Sequence, residues 1–295
     1  MTPRLTPRRR MPAPTLPRRD PPGVTAAVRR ARLDAELVRR GLARSRGEAA
    51  DLVASGRVLV AGVPASKVAS AVRADDALRV TDPPDGGPRW VSRGGHKLAR
   101  AIEVFAPRGL IVAGRRALDA GASTGGFTHV LLHHGAAHVD AVDVGYGQLA
   151  WSLQTDGRVT VHDRTNVRHL APAALAAPVG LVVGDLSFIG LLTVLPALQG
   201  VAEADADFVL LVKPQFEVGR EALGRDGVVR DPARRRAAVR HVAAGAHGVG
   251  LGTAGLTASP LPGPAGNVEY VLWLRAGAAA LDDTTLETVI AEGPQ

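Results

Sequence analysis

Residues 117–128 read A-L-D-A-G-A-S-T-G-G-F-T, and the organisation of the chain follows from this stretch. Apolar residues lead into it, and a helical apolar pattern leaves it from Val130. A strand, a glycine-rich turn and a helix in this order are typical of α/β folds, which bind ligands at the helix N-terminus. Glycines at positions 121, 125 and 126 let the backbone bend sharply and approach a ligand closely. The stretch predicts an α/β fold with a ligand site in this turn.

The turn departs from two common nucleotide fingerprints. A dinucleotide site requires G-x-G-x-x-G and a phosphate loop requires G-x-x-x-x-G-K-[ST], whereas this chain has G-A-S-T-G-G without a following cation. About twenty residues on, a predicted strand ends in Asp143, where a carboxylate can accept hydrogen bonds from a ribose diol. The leading ligand is S-adenosylmethionine (AdoMet), which carries no phosphate, and Asp119 and Ser123 add polar groups nearby. A glycine-rich turn without a ligand is the alternative.

The C-terminal part alternates strands and helices, which indicates a doubly wound, mostly parallel sheet of the Rossmann-like kind. The predicted strands are residues 117–120, 139–144, 159–162, 181–185, 208–213 and 268–274, and the predicted helices include 193–198 and 233–246. Ligands of such sheets lie at the carboxyl ends of the strands. Asp119, Asp143, Asp185 and Lys213 all fall at predicted strand ends. A structural ion pair between Asp185 and Lys213 is the alternative to a catalytic role.

Composition restricts the classes of function. The length of 295 residues favours about two domains, and the formal net charge of +8 indicates a polyanionic partner. Without cysteine there is no thiolate nucleophile and no cysteine metal site, so we expect a reducing, cytoplasmic location and no bound metal. No apolar run reaches the roughly 18 residues of a membrane span, and no membrane association is expected. Only three of the 36 basic residues are lysines, and lysine can release its proton where arginine cannot.

The chain is predicted to divide into four parts. Residues 1–28 are rich in Pro and Arg and are predicted to be a disordered tail. Residues 29–82 are predicted to form a small α+β domain, residues 83–91 a linker, and residues 92–295 the α/β domain. In the last of these, Ser92 is the expected cap of a helix that carries Lys97 and buries three apolar residues, Leu98, Ile102 and Phe105.

The small domain combines two short helices with a glycine-turned pair of strands. The second helix follows the capping-box pattern S-R-G-E at residues 45–48. Clustered arginines would present a cationic face to a phosphate backbone, with a solvated basic surface as the alternative. The predicted RNA-binding residues are Arg29, Arg30, Arg32, Arg39, Arg40, Arg44 and Arg46. The segment R-L-D-A-E-L-V-R-R-G-L-A-R-S-R-G-E-A-A-D-L-V-A-S-G-R-V-L-V-A-G resembles the S-four RNA-binding domain of a ribosomal protein and of pseudouridine synthases.

Methyl transfer to a ribose hydroxyl requires a base that removes the hydroxyl proton. A lysine can serve only if its pKa falls from about 10.4 toward neutrality, and burial and a neighbouring cation both act in that direction. Lys97, Asp185, Lys213 and Glu269, in this order, resemble the K-D-K-E tetrad of the heat-shock rRNA 2′-O-methyltransferase superfamily. Within it, the chain is similar to the TlyA family of rRNA (cytidine-2′-O)-methyltransferases, whose members are also called haemolysins. The motifs are R-G-G-H-K-L, D-V-G-Y-G-Q-L-A-W, G-D-L-S-F-I, L-V-K-P-Q-F-E-V-G and S-P-L-P-G-P-A-G-N-V-E-Y.

The resemblance implies a role for each matching position. It makes Lys213 the general base and the other three tetrad residues its catalytic partners. It implies that AdoMet is held by Asp119, Gly121, Ser123, Thr124, Gly125, Gly126, Phe127, Asp143 and Asp163. It assigns Arg89, Trp90 and Val91 to an interdomain segment that affects cofactor binding. Two positions depart from the family, which usually has Ala at Gly95 and Glu at Asp163. The first is expected to loosen the helix start, and the second changes the residue expected near the adenine.

The implied partner is ribosomal RNA in ribosomal subunits, small, large or both, with the free enzyme a monomer. Altered sensitivity to capreomycin-type antibiotics is implied by the resemblance as well. Two other functions stay open from the sequence. One is a membrane-active haemolysin, which requires an apolar span or an amphipathic membrane segment. The other is an RNA-binding protein with a degenerate methyltransferase fold, which would not bind AdoMet.

Overall fold

A computed structural model describes residues 30–43, 45–54, 56–81, 88–219, 223–224 and 226–293. The chain divides into two compact units, Met1–Asp82 and Pro83–Gln295. The predicted tail at residues 1–28, the RNA-binding calls on Arg29 and Arg44, and the predicted linker residues 83–87 lie outside the described residues.

The first unit is a small α+β fold. Its elements are β1 (Arg30–Arg32), α1 (Leu33–Arg39), α2 (Arg46–Ala54), β2 (Val58–Val60), β3 (Val63–Pro64), β4 (Ala71–Arg73) and β5 (Leu78–Val80). Ser45 Oγ accepts the Glu48 N–H at 3.1 Å, as expected for the predicted helix start. The turn between β2 and β3 has positive φ at both Ala61 (50°) and Gly62 (83°), which is how a two-residue hairpin closes.

The second unit is an α/β fold built on one large sheet. Its elements are α3 (Gly94–Phe105), β6 (Arg116–Ala120), α4 (Gly126–His133), β7 (His138–Val142), α5 (Trp151–Gln154), β8 (Val159–His162), β9 (Val179–Gly184), α6 (Leu191–Gly200), β10 (Ala202–Val212), α7 (Pro214–Glu217), α8 (Pro232–Gly248), β11 (Leu251–Ala258), β12 (Tyr270–Ala276) and α9 (Asp283–Glu292). Short 3-10 turns lie at Ala106–Arg108, Val167–His169 and Pro172–Ala174.

The sheet has seven strands in the order β11-β12-β10-β9-β6-β7-β8. Strands β10, β9, β6, β7 and β8 are parallel, and β12 runs antiparallel to both β10 and β11. The predicted Rossmann-like, mostly parallel sheet is therefore confirmed. Because β12 runs the other way, its first residues lie at the edge where the parallel strands end. That edge collects the side chains predicted to be functional.

Strand β11 was not predicted from the sequence. It reads L-G-T-A-G-L-T-A, and its glycines and alanines hide the alternation of a strand. The structure gives a reason for Gly255: a Cβ there would lie 2.7 Å from Cε1 of Phe105. The glycine that obscures the strand in the sequence is what allows α3 to pack closely against the sheet.

Helix α3 carries the predicted apolar stripe but not the predicted cap. Leu98, Ile102 and Phe105 are 1%, 4% and 0% exposed, and burying such side chains stabilises the fold by roughly 1.5–3 kcal/mol each. The residue before the helix is Arg93, whose backbone is already helical and whose side chain makes no capping bond, so Ser92 is not the cap. Instead, the Ser92 carbonyl accepts the Gly95 N–H at 3.1 Å.

Candidate active site

The glycine-rich turn after β6 is held open by its backbone conformation. The backbone is left-handed at three residues of the turn, Gly121 (φ 85°), Ser123 (φ 47°) and Gly125 (φ 94°). Glycine adopts this conformation without a steric penalty, which explains why two of the three residues are glycines. The Asp143 carboxylate after β7 accepts the Ser123 N–H at 2.8 Å and the Gly145 N–H at 2.7 Å. It is thereby fixed at the sheet edge beside the turn, with further lone pairs able to accept from a diol.

The turn forms a cradle that leaves no room for larger side chains. A Cβ on Gly121 would lie 2.9 Å from the Asp185 carbonyl oxygen and 3.1 Å from Leu186 Cδ2. Ser123 and Thr124 are exposed above this cradle. The turn offers hydroxyl groups, backbone N–H groups and an adjacent carboxylate but no cationic side chain. This set of donors and acceptors fits a nucleoside with an uncharged linkage, such as AdoMet, better than a triphosphate.

Asp119 lies beneath the turn rather than in it. Its carboxylate is fully buried, and Oδ2 accepts both the N–H and the hydroxyl of Thr128, at 2.8 and 2.6 Å. Burial raises the pKa of Asp119 to about 7, and the bonds from Thr128 oppose that rise. The geometry gives Asp119 a role in fastening the first turn of α4, and its contact with a cofactor stays a prediction.

Two other predicted cofactor residues are placed differently from expectation. The Phe127 side chain is 4% exposed and packs in the core with Leu98 and Leu131, so only its backbone faces the turn. Asp163, after β8, accepts the Gly147 N–H at 2.9 Å and so ties two neighbouring loops of the sheet edge together. It lies beside the predicted adenine region, and its carboxylate is engaged by the protein itself.

The four tetrad residues meet at the sheet edge. Lys97 Nζ lies 2.5 Å from Glu269 Oε2 and 3.9 Å from Asp185 Oδ2, and Lys213 Nζ lies 2.6 Å from Asp185 Oδ1. The four charged groups therefore form a continuous chain in which Asp185 bridges two ammonium groups. Lys97, Lys213 and Glu269 are all less than one tenth exposed, and Asp185 is the most open of the four, with its side chain 21% exposed. Buried charges are tolerated because each is paired.

Sequence reasoning missed two residues that follow Asp185. Ser187 is exposed and its Oγ accepts a hydrogen bond from Lys213 Nζ at 2.9 Å. Phe188 is 90% exposed at a left-handed φ of 65°, with its ring centroid 5.2 Å from that of Phe216 on α7. An exposed aromatic residue in a strained backbone conformation beside a charged cluster is a functional signal. The sequence contains both residues but not the backbone turn that exposes them.

The predicted linker residues Trp90 and Val91 pack against the hydrophobic core of the second unit, to which they belong. The Trp90 ring meets the imidazoles of His129 and His133 edge-on, at 5.2 and 5.3 Å. A Cβ on Gly95 would lie 2.5 Å from Trp90 Cβ, so this glycine makes room for the tryptophan. The expectation that Gly95 loosens the helix start is replaced by this close packing.

The predicted RNA-binding arginines of the first unit divide into two groups. Arg39 is 63% exposed although it pairs with Glu36, and these bonds, with those of Arg40, lower the pKa of Glu36 to about 2. Arg40 donates to Glu36 and to the backbone carbonyls of residues 73, 74 and 76. Arg40 thus ties α1 to the segment around β4, and its contact with RNA stays a prediction. Arg30, Arg32 and Arg46 keep exposed positions, and Arg32 pairs with Asp34.

Comparisons with known proteins agree with this architecture. A family model described as FtsJ-like methyltransferase matches residues 90–276, and one described as S4 domain matches residues 31–78. The 16S/23S rRNA (cytidine-2′-O)-methyltransferase TlyA of Mycobacterium tuberculosis is 58% identical over 273 residues, which cover 90% of this chain and 100% of that protein. Hemolysin A of Brachyspira hyodysenteriae is 33% identical, covering 81% of this chain and 98% of that protein.

Among solved structures, a protein from Streptococcus thermophilus that bears the name hemolysin superposes with a TM-score of 0.71. The two sequences are 35% identical, and the match covers 90% of this chain and 96% of the other. The likeness therefore extends over nearly the whole of both chains.

Proposed function

The chain belongs to the TlyA family of FtsJ-like methyltransferases, and on that premise we propose that it methylates the 2′-hydroxyl of cytidine in ribosomal RNA with AdoMet as methyl donor. The observation that carries the proposal is the convergence of two lysines and two carboxylates beside the Gly121 cradle. The S4 domain and the net charge of +8 supply affinity for RNA. The partners are ribosomal subunits.

The residues around the cradle suit AdoMet. Asp143 would accept from the ribose diol, the backbone of Gly121 and Gly125 would line the methionine side, and Ser123 and Thr124 would add hydroxyl contacts. When bound, AdoMet supplies an electrophilic methyl group: the ribose oxygen forms the new O–C bond as the S–C bond breaks, and sulfur keeps the bonding pair. The protein's part is to align the ribose and to receive its proton.

Lys213 is the base in this proposal, because the two lysines differ in their partners. Lys97 has a carboxylate of its own, Glu269, at 2.5 Å in an enclosed position. Lys213 shares Asp185 with Lys97 and reaches the exposed Ser187. In this proposal the substrate hydroxyl approaches Lys213 from the side of the exposed Ser187.

The charge of the tetrad complements the reaction. With Lys97 charged and Lys213 neutral, two carboxylates leave a net charge of −1 beside the positive sulfonium. When Lys213 takes the hydroxyl proton, the tetrad becomes neutral as the sulfonium loses its charge. Positive and negative charge thus disappear together among mostly buried side chains, which is the kind of preorganised electrostatic support that lowers barriers.

The RNA base has an aromatic surface available next to the base catalyst. Phe188 is 90% exposed and lies against Phe216, two residues after the turn begins at Pro214. A nucleotide whose ribose reaches Lys213 must leave its stack, and stacking on an aromatic ring compensates for the lost base stacking. Phe188 is therefore the proposed platform for the target base.

The test is transfer of labelled methyl groups from AdoMet to ribosomal subunits, with mapping of 2′-O-methylcytidine. Lys213→Ala is expected to lower the transfer rate at least 10²-fold while AdoMet binding by calorimetry persists. The matched control is Lys67→Ala, which removes the exposed lysine of the first unit. Unchanged methylation in Lys213→Ala would remove the base from the mechanism, and absence of methylation by the unaltered protein would refute the function.

The name hemolysin, carried by two relatives, gives the competing function. Among the described residues, every helix falls short of the length or the apolar character that crossing a bilayer demands. Leakage of dye from lipid vesicles at low protein concentration separates the two functions, since a methyltransferase leaves vesicles intact. A degenerate, non-catalytic protein would instead fail to bind AdoMet in the presence of RNA.

A further inference from the structure

The nitrogen of Lys213 has two oxygen neighbours of different kinds, an ion-pair partner and a hydrogen-bond acceptor. Asp185 Oδ1 lies 2.6 Å from Nζ, and Ser187 Oγ accepts from it at 2.9 Å. Lys97 instead has two carboxylates as neighbours, at 2.5 Å and 3.9 Å. A hydroxyl partner is what distinguishes Lys213 from the other lysine of the site.

A neutral lysine amine has two N–H groups and one lone pair arranged as a tetrahedron with Cε. A hydroxyl that accepts one N–H, with a carboxylate oxygen 2.6 Å from the nitrogen on another side, would restrict the direction in which the lone pair points. We propose that Ser187 is a positioning residue that, together with Asp185, aims the lone pair of Lys213 at the ribose 2′-hydroxyl. The proposal rests on the proposed function and adds to it a residue outside the tetrad.

The loop that carries Ser187 is held on both sides. Glu217 Oε1 accepts the N–H of Leu191, the first residue of α6, at 2.9 Å, and the Phe188 and Phe216 rings are in contact. Both ties join the Ser187 loop to the turn that begins directly after Lys213. The distance between Ser187 Oγ and Lys213 Nζ is therefore set by the surrounding structure, which a positioning role requires.

The proton balance assigns Ser187 no transfer of its own. The 2′-hydroxyl proton passes to Lys213 Nζ, which becomes an ammonium group, while the ribose oxygen gains the methyl carbon and the S–C bond breaks. Ser187 Oγ accepts one Lys213 N–H before and after the step. Removing the Ser187 hydroxyl therefore leaves Lys213 in place as the base but lets its amine rotate out of alignment with the ribose hydroxyl.

The first test is Ser187→Ala in the full chain with ribosomal subunits as substrate. The expected result is a fall in kcat of about tenfold to a hundredfold, with little change in KM or in AdoMet affinity. Ser187→Thr restores a hydroxyl and is expected to recover most of the rate. The matched control Thr193→Ala removes an exposed hydroxyl on α6 and is expected to leave kcat unchanged. A Ser187→Ala protein as fast as the unaltered one, or one altered in KM alone, overturns the proposal.

A second test needs no catalysis. Because the chain has only three lysines, labelling them with ¹⁵N gives at most three side-chain nitrogen signals. The Lys213 signal, assigned by its loss in Lys213→Ala, is expected to exchange faster with solvent in Ser187→Ala and to stay as it was in Thr193→Ala. An unchanged signal overturns the positioning role. If the unaltered protein methylates RNA, that outcome leaves the proposed function standing; if it does not, both fall.

Discussion

The two halves of the tetrad differ in the exposure of their carboxylates, since the side chain of Asp185 is 21% exposed and that of Glu269 is 0% exposed. The half formed by Lys97 and Glu269 is closed, since Glu269 is 1% exposed. Gly263 packs closely against it: a Cβ on this glycine would lie 2.5 Å from Glu269 Oε1. The half formed by Asp185 and Lys213 opens toward Ser187 and Phe188, both exposed. The same pair of residue types therefore builds a permanent ion pair on one side and a substrate-facing pair on the other.

The difference has its origin in the sheet. Lys97 is carried by α3, which packs on the sheet through its apolar stripe, and Glu269 precedes the antiparallel strand β12. Asp185 follows the parallel strand β9 and leads into an exposed loop, and Lys213 follows the parallel strand β10 and directly precedes the short helix α7. Loops at the surface often carry function. A lysine on a packed helix contributes charge, whereas a lysine at a strand end beside an exposed loop can meet a substrate.

The largest expected effect comes from opening the closed half. Lys97→Ala leaves the Glu269 carboxylate buried without its cation, so we expect the free energy of unfolding to fall by about 3–5 kcal/mol. Lys213→Ala should lower it by much less, because Asp185 keeps Lys97 nearby and is partly open to water. Urea denaturation of both variants, with Lys67→Ala as control, measures the difference, and equal losses would contradict the distinction between the halves.

A second variant presses on the closed half without removing a charge. In Gly263→Ala, the new methyl group forces the Glu269 carboxylate to shift, and overpacking of this kind lowers stability by about 1–3 kcal/mol. We also expect methyl transfer to slow by about tenfold, since the displacement passes through Lys97 to Asp185. Gly200→Ala, where a Cβ would meet nothing within 4 Å, is the matched control. Full activity in Gly263→Ala would show that the closed half tolerates movement.

A third prediction concerns Asp119, a buried carboxylate whose partners are Thr128 groups rather than a lysine. Burial raises the pKa of Asp119 to about 7, so in the folded protein it stays protonated at pH values where the unfolded chain has ionised. Unfolding then releases a proton, and stability falls as pH rises. From pH 5 to pH 7 the group's contribution should decline by about 2 kcal/mol.

Asp119→Asn removes the titration and keeps an oxygen acceptor for Thr128. Thermal or urea unfolding at pH 5 and pH 7 should therefore show a smaller decline in the variant than in the unaltered protein, by about that amount. Identical pH dependence in the two proteins would mean that Asp119 is ionised in the folded state. In that case Asp119, which lacks a lysine partner, would not differ in charge from Glu269, which has one.

The sequence predicted the parts of the site that follow from strand ends. The glycine turn, Asp143, Asp185 and Lys213 could be placed because parallel strands deliver their last residues to one edge. Glu269 was found through resemblance, since it precedes its strand and nothing local reveals that β12 is antiparallel. The role of Asp119 depends on complete burial under a helix start, which periodicity does not measure.

Other features escaped because they depend on contacts between distant segments. Strand β11 has no clear strand pattern in the sequence, because it contains Gly255, which makes room for Phe105. Arg40 looks like any surface arginine in the sequence, because its three backbone carbonyl partners lie far away along the chain. Ser187 and Phe188 lie in the segment D-L-S-F-I, residues 185–189, whose composition is ordinary. Their importance comes from a left-handed backbone at Phe188, a property of the folded chain alone.

The smallest expected effect tests the open half through that strained residue. A left-handed φ of 65° at a bulky residue stores about 1 kcal/mol or more, which glycine would relieve. Phe188→Gly should therefore leave the protein as stable as before or more stable by up to about 1 kcal/mol, while RNA binding weakens by about tenfold because a stacking surface is lost. Phe188→Ala is the matched variant, because it loses the ring but keeps the strain.

Equal RNA affinities in the two variants, with only Phe188→Gly gaining stability in thermal unfolding, would show that the open half keeps a strained loop in order to bind its substrate. Stability lost to the same extent in both would instead make Phe188 a packing residue, and the open half would then differ from the closed half only in its exposure to water.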